Sequence, residues 1–177
     1  MMRFSTAALL LLVCAAVLTQ AQMPTPTPAP ELKKLDYFVG KWTLESTLKP
    51  GPFGPGGKST GTAHAEWMEG NFFLTSHGTY EGVMGKGIEV SYMGYNSDLK
   101  VYTYEEFSSM GERISSTGTL DGDTWTFSAG QMANGQKVRG HFVMKVVSPT
   151  VYDYKLEFSP DGTTWNTVME GKATKVK

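Results

Sequence analysis

The chain has 177 residues, 16 Lys+Arg against 17 Asp+Glu for a formal net charge of −1, and a single cysteine. That balance excludes the basic footprint expected of a protein that binds nucleic acid or an anionic membrane surface. The length is that of one domain able to bury its own core.

The first residues read as a removable leader. Met1-Met2-Arg3 is a short basic start, Ala7 to Leu18 is apolar, and Thr19-Gln20-Ala21 supplies small residues at a signal-peptidase site. This order predicts a signal peptide over residues 1–21 and a secreted or periplasmic protein. The apolar run is shorter than the roughly 20 residues of a membrane span, so no span is expected after cleavage. Cys14 follows Val13, where lipid modification would want a smaller residue. Cleavage after Ala21 would leave 156 residues without cysteine, and a net charge of −2, since Arg3 is the only charge removed. Such a chain must rely on its hydrophobic core instead of disulfides. Only Arg113 and Arg139 then remain as arginines, which argues against a multi-arginine phosphate clamp.

Residues 22–31 form a proline-alternating linker, expected to be extended. The domain proper is expected over residues 32–177. It opens on Leu35-Asp36-Tyr37-Phe38-Val39-Gly40-Lys41-Trp42. A short helical or 3₁₀ turn places Leu35 and Phe38 on one side, Gly40 permits a bend, and Trp42 begins an alternation with Leu44, Ser46 and Leu48. Pro50 to Gly57 is rich in glycine and proline and predicts a mobile loop after the first strand. From Lys58 onward, alternation persists through candidate strands 59–69, 71–81, 87–95, 100–107, 113–120, 124–129, 136–147, 150–158 and 164–175. Turn signals separate them, among them Asp121-Gly122-Asp123 and Asn134-Gly135. No later segment carries a helical period. The pattern predicts an all-β fold: a single antiparallel up-and-down barrel of about ten strands, plugged at one end by the N-terminal turn.

Alternation also assigns faces. One inward set is Ile88, Val90 and Tyr92. A second is Val138, Phe142, Met144 and Val146, and a third is Tyr152, Tyr154, Leu156 and Phe158. Trp125 with Phe127, and Trp165 with Thr167 and Met169, extend the set. Arg139 and His141 share the face opposite Phe142; either face is open to being the interior one, and the apolar one is preferred.

These features resemble a known group. Gly40-Lys41-Trp42 after an apolar turn is similar to the Gly-x-Trp opening of the calycins, the lipocalin and fatty-acid-binding-protein barrels. Trp67-Met68-Glu69-Gly70-Asn71-Phe72-Phe73-Leu74, Met93-Gly94-Tyr95-Asn96 and Gly118-Thr119-Leu120-Asp121-Gly122-Asp123 resemble a bacterial family of domains of unknown function placed among those barrels, with secreted members. The resemblance spans roughly residues 32–175 and implies no established substrate. It implies that Trp42 lies at the closed end beneath a ligand space. Gly40 and Trp42 are therefore assigned to a structural plug. A related branch of small barrels binds haem through a histidine near the C-terminal end. Here no histidine follows His141, so haem is not supported and no cofactor is expected.

Motifs for chemistry are weak. Gly57-Lys58-Ser59-Thr60-Gly61 matches the nucleophile elbow in letters, but the strand–turn–helix context is missing. It also fails as a phosphate loop, since Pro52 stands where that motif needs glycine. His64, His77 and His141 are the only histidines, and their spacing does not announce a metal site, so no metal is expected. His64 and Glu66, two apart on one strand, form the best acid/base pair. Glu105 and Glu106 must point to opposite faces. The preferred reading is a non-enzymatic barrel binding a small, largely apolar molecule through Tyr92, Phe142, Met144 and Tyr154. His64, Glu66, Glu105 and Arg139 are its candidate polar cavity groups. The alternatives are an isomerase, cyclase or hydrolase using those polar groups, and a structural or partner-binding envelope protein with a filled barrel. Oligomeric state is not legible.

Overall fold

The computed structural model describes residues 26–51, 54–83, 85–133 and 136–177. The expected signal peptide and residues 22–25 of the linker lie outside the described residues. A 3₁₀ helix, Pro30–Phe38, precedes ten strands. They are β1 (Gly40–Leu48), β2 (Gly57–Trp67), β3 (Leu74–Gly82), β4 (Gly85–Asn96) and β5 (Val101–Ser108), followed by β6 (Arg113–Asp121), β7 (Thr124–Ala133), β8 (Gln136–Ser148), β9 (Val151–Ser159) and β10 (Asn166–Lys175). Each strand pairs antiparallel with the next, and β1 pairs with β10, so the sheet closes into the expected up-and-down barrel. Closure leaves no free edge.

The helix starts at Pro30, inside the stretch read as linker, and Ala29 already packs against the core. Its apolar side buries Leu32, Leu35 and Phe38 in one end of the barrel. Gly40 then takes φ +115°, a left-handed conformation that an L side chain rarely adopts, and redirects the chain into β1. Beside it the buried Trp42 donates its indole N–H to Phe38 O at 2.8 Å. The same end is tied by Tyr37 Oη donating to Ser148 O (3.0 Å) and Val151 O (2.9 Å), and by Trp67 Nε1 donating to Asp36 Oδ1 at 2.8 Å. Lys175 Nζ donates to Tyr37 O at 3.0 Å and lies 5.0 Å from the Trp42 ring centroid. Phe38, Trp42, Tyr102, Trp125 and Tyr152 interlock edge to face, with centroids 4.6–5.6 Å apart. This is the geometry that aromatic quadrupoles favour.

Two face assignments need correction. On β4 the residues turned inward are Glu89, Ser91 and Met93, while Ile88, Val90 and Tyr92 face out. The ladder decides this, because Met93 pairs with the buried Leu74 on one side and with the inward Tyr104 on the other. Cross-strand partners share a face, and a one-residue choice inverts the whole strand. On β10 a register shift between Thr167 and Met169 breaks the run. Met169 packs against the core, whereas Trp165 lies over His141 with ring centroids 3.4 Å apart, on the outer side. The inward sets on β7, β8 and β9 run as alternation predicts. Of the glycine- and proline-rich stretch, the described ends close on each other through reciprocal Gly51–Gly54 backbone hydrogen bonds of 3.0 and 3.1 Å.

Candidate functional site

Above the plug the barrel holds a cavity of about 350 Å³, within the usual size range of a small-molecule site. Its floor is formed by Phe38 and Trp42. Trp42, assigned to structure alone, therefore also presents a surface to the cavity. Phe127, Phe142, Met144, Leu156 and Met169, from β7 to β10, make one wall apolar. The Tyr154 ring joins this wall by lying against Gly171, where a Cβ would stand 2.5 Å from the ring. The opposite wall, from β2 to β6, carries the polar groups: Ser59, Ser76, Glu89, Ser91, Glu106 and Ser116.

Two carboxyl groups, Glu89 and Glu106, thus enter the cavity from its polar wall. The register pairs Ser91 with Glu106 and Glu89 with Ser108, which makes the two glutamates diagonal neighbours on one face. The Tyr104 hydroxyl donates to Glu106 Oε2. Among the described residues nothing hydrogen-bonds the Glu89 side chain, and no Lys, Arg or His lines the cavity. Burial pushes the Glu89 carboxyl up to about 7, and the neighbouring Glu106 adds to the effect. Glu106 is raised by its own burial, partly offset by the Tyr104 hydrogen bond. Burial also lifts the Tyr104 phenol well above its ordinary range, with Glu106 reinforcing it. Near neutral pH the Glu89 carboxyl therefore stands between its protonated and ionised forms.

The residues expected at the site divide sharply. Phe142, Met144 and Tyr154 line the cavity, and Tyr92 does not. His64 and Glu66 are exposed on the outer face of β2, because Ala63, Ala65 and Trp67 take the inward positions. Glu105 also points outward, where it accepts hydrogen bonds from Ser115 and from Arg113 at 3.3 Å. Arg139 is exposed on β8, displaced from the interior by Gly140 and Phe142. His64 and His77 are direct cross-strand partners on the outside, a proximity that sequence spacing conceals. Lys41 flanks His64 on its other side, and among the described residues no group of three metal-ligating side chains forms. Glu89 and Glu106 were both missed. The signal for Glu106 was its two-residue step from Tyr104 and Tyr102; for Glu89 it was hidden by the apolar residues on either side.

A family model described as "Protein of unknown function (DUF1579)" matches residues 27–175. Among solved structures, the Rv2717c protein from M. tuberculosis is similar at a TM-score of 0.58 with 14% identity, over 85% of this chain and 99% of that one. At that identity the likeness shows the barrel fold alone. A redesigned beta barrel matches at a TM-score of 0.38 and 14% identity, over 80% of this chain and 94% of that one. No curated protein matches the chain. Among the described residues no helix is long and apolar enough to cross a membrane.

Proposed function

We propose a ligand carrier, proceeding from the fact that this chain belongs to the DUF1579 family, whose description names no activity. The reading is an exported, calycin-like barrel that holds a small, largely apolar molecule. Export rests on the leader-like order of residues 1–21. Binding rests on one observation, the cavity of about 350 Å³ between the plug and the far ends of the strands, with an aromatic and aliphatic wall. A barrel that served only as structure would fill that space with side chains, since interiors are close-packed.

Titration with a neutral solvatochromic dye such as Nile red tests the reading, using wild type and Ala129→Phe. Ala129 lines the cavity, and a phenyl ring there occupies part of it. Saturable one-site binding by wild type, lost in a folded Ala129→Phe protein, is the expected result. No binding by wild type, or equal binding by both, contradicts it.

A second reading, acid–base catalysis in the same cavity, draws on Glu89 being pushed up to about 7, where a carboxyl exchanges protons readily near neutrality. It predicts solvent deuterium entering a bound enolisable ketone, with the exchange abolished by Glu89→Gln.

A further inference from the structure

The carboxyl pair says more about the ligand than the cavity's size does, and the argument rests on the carrier reading. A buried ionised carboxylate is costly unless a cation or hydrogen-bond donors accompany it. Elsewhere this chain follows that rule: the largely buried Glu157 carboxylate lies 2.8 Å from Lys155 Nζ. Among the described residues, Glu106 has only a phenol inside the cavity, Glu89 has no hydrogen-bond partner, and no cationic side chain lines the space. The missing positive partner must come from outside the fold, as a proton or as part of what binds. A metal ion fits poorly, because hard cations want six or more oxygen ligands and no three metal-ligating groups converge among the described residues. A fatty acid fits worse, since its carboxylate would be a third negative group if it sat at this wall.

We infer that the ligand class is an apolar or aromatic molecule bearing one protonated amine, its ammonium group between Glu89 and Glu106 and its body against the β7–β10 wall. The neighbouring rings suit this placement. Tyr104 stands 6.2 Å from Phe142, and Phe142 stands 6.0 Å from Tyr154, centroid to centroid. Aromatic faces attract a desolvated cation, and the three rings run from the carboxyls to the apolar wall.

Three probes of equal chain length decide the matter: decylamine, decanol and decanoic acid, each displacing Nile red at neutral pH. Wild type is expected to take decylamine at least about tenfold more tightly than decanol, with decanoic acid weakest, as charge complementarity in a desolvated site implies. In Glu89→Gln/Glu106→Gln the preference for amine over alcohol is expected to collapse to within about threefold, while in Glu105→Gln, on the outside of the barrel, it persists. Equal binding of the three, tighter binding of the acid, or an amine preference that survives the double substitution overturns the inference and leaves the carrier reading standing. Displacement by none of the three also overturns the inference, whereas absence of saturable Nile red binding by wild type removes the carrier reading itself. Should the double variant fail to fold, the wild-type ranking alone still decides.

Discussion

The two ends of the barrel's interior solve the burial of polar groups in opposite ways. At the plug, the polar atoms of four aromatic side chains find partners. Trp42, Tyr37 and Trp67 each donate to a named acceptor, and Tyr102 Oη reaches Glu31 O at 3.1 Å. A few residues higher, Glu89 faces an apolar cavity without any such partner among the described residues. Satisfied polar groups in a packed end fix one structure. A carboxylate held without a partner among the described residues costs stability unless it is protonated or paired. The plug is where packing and hydrogen bonds stabilise the barrel, and the cavity is where a poorly compensated carboxyl costs stability.

The comparison breaks most visibly at Trp42. Its side chain is only 3% exposed and holds the Phe38 carbonyl, so Trp42→Ala is expected to cost about 3–5 kcal/mol of unfolding free energy, a large share of a small domain's total. Urea denaturation measures it, and a loss below about 1 kcal/mol would mean that the plug does not anchor the barrel.

At Glu89 the expected sign reverses. Its folded-state value, about 7, stands above its unfolded one. Its contribution is therefore fully present below the unfolded value and is lost as pH rises through the folded one. Glu89→Gln removes that penalty. It should stabilise the free protein on the order of 2 kcal/mol at pH about 8, and the gain should fade below pH about 4.5. Urea midpoints of both proteins across that range provide the check; destabilisation by the amide at alkaline pH would show that the carboxylate is well solvated or paired.

Tyr37→Phe sharpens the account of the plug itself. It deletes one hydroxyl that bridges Ser148 O and Val151 O and should cost about 1–2 kcal/mol, seen as a lower melting temperature. The smallest effect belongs to the outer face. Arg113 and Glu105 form a largely exposed pair at 3.3 Å, so Arg113→Gln should change stability by less than about 1 kcal/mol.

Much of the barrel was readable because its turns are chemically explicit. Asp121-Gly122-Asp123 joins β6 to β7, with φ +57° at Gly122, and similar signals space the other strands. The plug was readable because Leu35, Phe38 and Trp42 are large, close in sequence and apolar. The site was only half readable, for a physical reason. On β7 to β9 the inward face is also the apolar face, so alternation places Phe142, Met144 and Tyr154 correctly on the cavity. On β4 and β5 the cavity wall is polar and the outer face carries apolar residues, among them Ile88 at 59% exposure and Phe107 at 46%. Hydrophobicity then points the wrong way, and only the register with the neighbouring strands restores the orientation. Tyr92 was turned outward and Glu89 inward by that one fact. Glu105 lost its place in the cavity to Glu106 through the same two-residue period.

Glu89 is the decisive group: a half-buried carboxyl that faces the cavity without a hydrogen-bond partner among the described residues. Carbon-detected NMR titration of the glutamate side-chain carboxyls measures this directly, with Glu89→Gln to assign the resonance. Glu89 is expected to titrate near pH 7 in the free protein and to shift when decylamine occupies the barrel. A Glu89 midpoint near pH 4.5, unchanged by decylamine, would mean that the carboxyl is bathed in water, and would contradict the account.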